Sequence, residues 1–307
     1  MGLVSLIVAL VLEQWRPLSD RRQLFAPAEG YANFFERQFN AGERHHGRIA
    51  WLLAVLPATA GAWMAYNLLL VASPLLGLAF NVAALYLTMG FRQFSHYFTG
   101  IQLALKEDDL QRARELLSQW RGHACSDLSR EEVAKLAIEE ALVASHRRVF
   151  AVVFWFVLLP GPSGAILYRL ADFLSRRWGS SDASELSVFG SFSRQAFDAL
   201  EWLPARFTAA SFAVVGDFED AIFCWRTQAA TWPDAALGIV LAAGAGAIGV
   251  RLGNPFVRDG VLAERPELGL GEEADSGFLD STVGLVWRAL VLWLLTLLLL
   301  GIASAVS

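Results

Sequence analysis

Long apolar runs separated by polar, charge-bearing stretches dominate the chain. The last of them, Thr282 to Ser307, reads TVGLVWRALVLWLLTLLLLGIASAVS and carries one charge, Arg288. About 20 consecutive apolar residues cross a bilayer core as a helix, so this run predicts a membrane span. Arg288 lies near its entry end, where the long stem can snorkel, and Trp287 and Trp293 suit interfacial anchors. The opening MGLVSLIVALVL is short for a span, which leaves a half-crossing or a tilted first helix; it has no basic leader and no small-residue cleavage site. Ile49 to Gly90 is too long for one helix. Ser73-Pro74 divides it into a hairpin over about 50–71 and 74–90. Val149 to Leu170 is interrupted by Pro160-Gly161-Pro162-Ser163-Gly164, which predicts a snapped helix or a re-entrant hairpin. An apolar stretch over 205–222 follows. The Gly/Ala-rich segment 235–252 predicts a helix buried among others, because small residues permit close packing.

The polar part between these runs, 91–148, reads as a cytoplasmic helical insert. Lys106 to Trp120 places Leu110, Ala113, Leu117 and Trp120 on one face, with Asp108 and Gln111 as a capping box and Gly122 as the stop. A second helix starts at Ser129, with Glu132 three residues on. The pattern predicts an all-α, polytopic membrane bundle with broken or re-entrant helices, forming one domain over 1–307. Its membrane segments fall at about 1–14, 50–71, 74–90, 149–171, 205–222, 235–252 and 282–306.

Composition agrees. The chain is 55% hydrophobic and 18% charged, with a mean hydropathy of +0.42, whereas a soluble domain has about 25% charged residues. A net charge of -5 gives no reason to expect a nucleic-acid partner. Six of the 25 Lys and Arg fall between Arg16 and Arg48 and nine between Arg92 and Arg148. The positive-inside rule puts both loops in the cytoplasm, hence a multi-pass protein of a bacterial inner membrane. Cys125 and Cys224 fit no metal spacing.

No phosphate-binding GxxxxGK[ST], HExxH or CxxC is present. His45-His46 read as polar residues at a helix entry, and His96 shares a face with Arg92 if that stretch is helical. His123 and Cys125 sit in an interhelix loop, where a reactive pair is the sharper alternative to an ordinary loop. Asp198, Glu201 and Arg206 precede a membrane segment, and ionisable residues there are functional candidates. A structural salt-bridge cluster is the competing reading.

Glu201 to Ala209, EWLPARFTA, resembles the NWIPARLTA motif of the CobD/CbiB family of membrane enzymes, adenosylcobinamide-phosphate synthases of cobalamin biosynthesis. Further pieces resemble that family in order: Leu103 to Gly122, Glu132-Val133-Ala134 with Ala137-Ile138-Glu139, Phe154-Trp155, Tyr168-Arg169, Phe189-Gly190, Trp232-Pro233-Asp234-Ala235, Gly249 to Gly253, and Glu264-Arg265-Pro266. The resemblance implies amide ligation of an aminopropanol phosphate to a corrinoid carboxylate, with ATP and Mg²⁺ if the chain is an active synthase. Departures accompany it. Leu142 to Arg148, LVASHRR, stands where the family has AENTVDG, and Asp172 to Arg177, DFLSRR, where it has NTLDSM. The family's GRDT, SPNAG and early DP…HP signatures are likewise replaced or not evident. Arg147, Arg148, Arg176 and Arg177 invert the local charge. SHRRVFAVVFW, LEWLPARF and GDFEDAIFCW are similar to AmpE, a related membrane protein linked to β-lactamase regulation. Two function classes therefore stand: a diverged, AmpE-like sensor or regulator, and a working synthase. A transporter is a third, weaker reading.

The candidate site consists of Glu139, Tyr168, Arg169, Asp198, Arg206 and Asp234. Arg206 would face an anionic group with Asp198 orienting it, and Tyr168 and Arg169 would line the same place. The expected partners are the lipid bilayer and a corrinoid or another anionic ligand; an oligomer is left open.

Overall fold

A computed structural model describes residues 2–15, 21–40, 44–179, 186–253, 256–258, 261–263 and 265–306. In chain order, α1 (Gly2–Trp15), α2 (Arg21–Phe39), α3 (Arg44–Ala72) and α4 (Pro74–Thr88) come first, followed by α5 (Phe91–Lys106), α6 (Leu110–Arg121) and α7 (Arg130–Ser145). A π-helical turn, His146–Phe150, leads into α8 (Ala151–Leu158); α9 (Ser163–Gly179), α10 (Leu186–Val215), α11 (Phe218–Gln228), α12 (Ala235–Ile248) and α13 (Ser276–Val306) complete the helices. The fold is all-α in its framework. Short strands, which hydropathy did not predict, pair as β1 (Val250–Arg251) with β4 (Glu272–Glu273) in parallel and β2 (Phe256–Arg258) with β3 (Val261–Ala263) in antiparallel fashion.

Three runs are long and apolar enough to cross a membrane among the described residues: His45–Ala72, Arg130–Leu158 and Ser276–Ser304. Gly2–Trp15, Pro74–Thr88 and Ala235–Ile248 are shorter apolar helices. Large apolar side chains stay uncovered on the long runs, with Val71 89% and Leu299 66% exposed. An apolar surface of that extent needs lipid rather than water against it, and the chain is a membrane protein. Arg130–Leu158 differs from expectation. The helix assigned to a polar insert runs on through the π turn into the apolar segment.

Two compact units divide the chain: Met1–Gly90 with Ala151–Leu203, and Phe91–Phe150 with Pro204–Ser307. In the first, α4 packs on α1 and α3, while α9 packs on α3 and α8. Ser73 caps α4, its hydroxyl accepting from Leu75 N at 3.3 Å, and Pro74 occupies the first turn, where no N–H is needed. The Pro-Gly-Pro run separates α8 from α9, and Ser163 Oγ closes the break by donating to Pro160 O at 2.8 Å.

In the second unit, α7 packs against α5, α12 and α13, and α11 lies along α12. The capping box expected at Ser129 is present: Ser129 Oγ accepts from Glu132 N at 3.2 Å, and Glu132 Oε2 accepts from Ser129 N at 2.7 Å. The preceding cap is Asp109, not Asp108. Because α5 continues to Lys106, Asp108 falls in the turn with a positive φ, and Asp109 Oδ1 accepts from Arg112 N at 2.9 Å. Helix α12 buries Gly238 through Ala247, as its small residues predict. A Cβ on Gly246 would lie 2.5 Å from Asp220 O on α11. Gly246→Ala is therefore expected to cost about 1–3 kcal/mol through overpacking. Gly301→Ala, with nothing within 4 Å, should leave the thermal unfolding midpoint in detergent unchanged.

Trp293, expected as an interfacial anchor, is held by protein. Its Nε1 donates to Ser211 Oγ at 2.7 Å and its ring lies 5.5 Å from that of Phe150.

Candidate functional site

The second unit gathers residues that are far apart in sequence. Glu139 sits in the middle of α7 among apolar neighbours and is 6% exposed. A buried carboxylate needs partners for both oxygens. Its Oε1 accepts from Gly253 N at 2.9 Å, and its Oε2 accepts from Arg265 Nη2. Gly253 has φ +79, and a Cβ there would meet Pro266 O at 2.0 Å, so only glycine presents its N–H in this way. The Arg265 guanidinium lies over the Trp232 ring, 4.8 Å from its centroid, a cation–π placement that fixes the arginine from a second side.

Asp234 lies two residues beyond Trp232 and does two jobs. Its Oδ1 caps α12, accepting from Ala236 N and Leu237 N at 3.0 Å each, and its Oδ2 accepts from Arg147 Nη2 at 3.0 Å. Arg147 belongs to the π turn, a helical irregularity often found at functional sites. Beside it, the buried His146 pairs its Nδ1 with Thr208 Oγ1 at 3.0 Å. Near the short strands, Lys135 and Arg251 both reach Glu273, at 3.0 and 3.2 Å.

A second cluster is built within the first unit. Tyr168, fully buried on α9, donates to Glu201 Oε1 at 3.0 Å. Asp172, one turn on, accepts from Arg169 Nη1 at 3.0 Å and from the fork of Arg176, Nε at 2.8 and Nη2 at 2.9 Å. Glu13 of α1, also buried, lies within Coulombic reach of Arg169.

Among the six sequence candidates, Glu139 and Asp234 each anchor a contact in the second unit, and Tyr168 and Arg169 do so in the first. Asp198 and Arg206 both stand on α10, on either side of Pro204; Asp198 is exposed and Arg206 half-buried. The clusters include residues outside that set: Arg265, Gly253 and Trp232, then Glu201, Asp172 and Glu13. The sequence singles out Glu201, with Asp198 and Arg206, before a membrane segment, and Glu13 has a readable signal as the acid that ends the first apolar run. The Cys125 thiol meets the His123 backbone carbonyl at 3.5 Å rather than the imidazole. Both cysteines are free and buried. The side chain of Arg92, and residue Glu264, lie outside the described residues.

The donor set does not fit Mg²⁺. Among the described residues no group of three or more His, Cys, Asp and Glu gathers as metal ligands. The carboxylates of Glu139, Asp172 and Asp234 are each taken by arginine.

The residues converging on Glu139 come from separated stretches of the chain, and the chain as a whole is similar to known proteins. The CobD/Cbib protein family matches residues 6–286. The chain belongs to the CobD/CbiB family. A protein of Stutzerimonas stutzeri named Cobalamin biosynthesis protein CobD is 36% identical over 302 residues, 97% of each chain. One of the same name from Chromobacterium violaceum is 39% identical over 250 residues, 81% of this chain and 78% of its own. A more distant relative of that name, from Halalkalibacterium halodurans, is 26% identical over 97% of this chain and 96% of its own. No solved structure matches. Within this CobD/CbiB chain, Glu139, Trp232, Asp234, Gly253 and Arg265 all lie in stretches that resemble the family pattern. The fold brings four of them, Glu139, Gly253, Arg265 and Trp232, into contact.

Proposed function

We propose that this chain is a multi-pass protein of the bacterial inner membrane that serves cobalamin biosynthesis, at the step where an aminopropanol phosphate is joined to a corrinoid carboxylate. The observation that carries the reading is the convergence of Glu139, Trp232, Gly253 and Arg265, together with 36% identity over 97% of a protein named for cobalamin biosynthesis. The reaction forms a C–N bond between the amine and the carboxylate carbon, and water is formally lost. Activation of the carboxylate has to come from a further reactant, for which the resemblance implies ATP. The chain's part is to recognise anions. In the second unit Arg206, Arg147 and Arg265 supply guanidinium groups suited to phosphate and carboxylate, and Asp234 and Glu139 hold two of them in place. In the first unit Arg169 has that role, and Tyr168 is positioned by Glu201.

A second reading is favoured by one specific observation. Asp234, a retained acid, is neutralised by Arg147, and Asp172 by Arg176, both arginines standing where the family pattern is lost. Under that reading the chain is a diverged, AmpE-like sensor or regulator.

Complementation separates the two. A bacterial strain lacking its own CobD/CbiB enzyme, grown where cobinamide amidation is required, is expected to grow when it carries this chain. Arg206→Ala is expected to abolish growth while the protein remains in the membrane. Absence of growth with the unaltered protein present in the membrane would reject the synthase reading and favour the regulator.

A further inference from the structure

Glu139 and Asp234 stand at positions where the family resemblance is retained, Asp172 opens the DFLSRR segment where it is not, and all six oxygens of the three carboxylates accept hydrogen bonds. Glu139 takes the Gly253 N–H on Oε1 and Arg265 on Oε2. Asp234 takes two backbone N–H groups on Oδ1 and Arg147 on Oδ2. Asp172 takes Arg176 on both oxygens and Arg169 on Oδ2. Arg147 and Arg176 lie in the segments LVASHRR and DFLSRR, where acids of the family pattern are replaced.

We infer that these arginines are resident counter-cations, so that Glu139, Asp172 and Asp234 are each matched by guanidinium and none of the three takes up a divalent metal ion. Mg²⁺ demands near-octahedral oxygen ligation and is usually bound through one or two carboxylates with open lone pairs. None of these three carboxylates offers an oxygen that is not already an acceptor. A guanidinium carries a fixed charge at any accessible pH and meets a carboxylate in a planar fork. To enter, a metal ion would have to evict an arginine from Glu139 or Asp172, both under a tenth exposed, and leave that cation unmatched in a poorly solvated place. The inference concerns charge balance alone and stands apart from the proposed amide chemistry.

The test uses the full chain purified in detergent micelles. Mn²⁺ is titrated in while the electron paramagnetic resonance signal of the free aqua ion is followed. The signal is expected to grow in proportion from the first addition, and excess Mg²⁺ to leave the thermal midpoint unshifted. A stoichiometric Mn²⁺ site that Glu139→Gln, Asp172→Asn or Asp234→Asn abolishes would overturn the inference. Arg147→Gln and Arg176→Gln add an independent arm. Each is expected to lower the midpoint, and Mg²⁺ to restore part of the loss in these variants only. A midpoint equal to wild type in both variants would also reject the counter-cation role. If neither variant can be recovered, the wild-type titration alone decides.

Discussion

Glu139→Ala is expected to destabilise the second unit by about 3–5 kcal/mol, the loss that follows when one partner of a buried ion pair is removed. Two groups are stranded at once. The Arg265 guanidinium, its side chain 13% exposed, loses its carboxylate, and the Gly253 N–H loses its acceptor. Against a total of about 5–15 kcal/mol for a typical domain, this is a large fraction. Glu139→Gln should cost less, roughly 1–3 kcal/mol, because an amide oxygen can still accept from Gly253. Thermal or denaturant unfolding in detergent checks the order. If Ala and Gln behave alike, the charge rather than the hydrogen bond carries the effect.

Asp172→Ala should produce a loss of similar size in the first unit. Asp172 is 4% exposed and faces Arg169 as well as Arg176. Arg176 is more than half exposed and can return to water, so the cost falls on Arg169, whose side chain is 15% exposed. About 3–5 kcal/mol is expected for the single change. Replacing both members, Asp172→Leu with Arg169→Met, should recover most of it, because a buried pair exchanged for apolar side chains is often neutral or better. A double variant as unstable as the single one would mean that Arg169 holds the fold through contacts other than Asp172. The two losses also separate stability from activity: Arg206→Ala is expected to spare the fold and remove growth, while these variants act on the fold first.

Much of the framework was legible in the sequence, for reasons that can be traced to particular residues. Ser73-Pro74 divides α3 from α4 because proline is tolerated in a first turn and not in a helix interior. Ser129 and Glu132 cap α7 reciprocally. Small residues of α12 are buried as expected, and at Gly246 a Cβ would run into the α11 backbone. Local competition misled the reading at Asp108: either aspartate could cap, and the extent of α5 decides between them. The short strands escaped because two or three residues are too few to show an alternating pattern. The clusters were legible only in part. An acid in an apolar helix, such as Glu139, announces that it has a partner, but periodicity does not say which. Arg265 lies 126 residues away, and its pairing depends on how β1 and the neighbouring bridge between Leu252 and Leu268 bring the chain back.

That separation has a consequence for the newly made chain. Synthesis delivers Glu139 first and Arg265 126 residues later, an interval of roughly ten seconds at 5–20 residues per second. Lys135 waits even longer for Glu273, 138 residues on. The α11–α12 seam, by contrast, closes over a short stretch of chain, as Asp217 N reaches Ala247 O. Short loops close at small entropic cost, so that seam can form as soon as α12 emerges. Throughout this interval α7 carries a carboxylate destined for burial whose countercharge has not yet been translated. Only when Arg265 has been made can the Glu139 carboxylate take the partner it has in the folded chain.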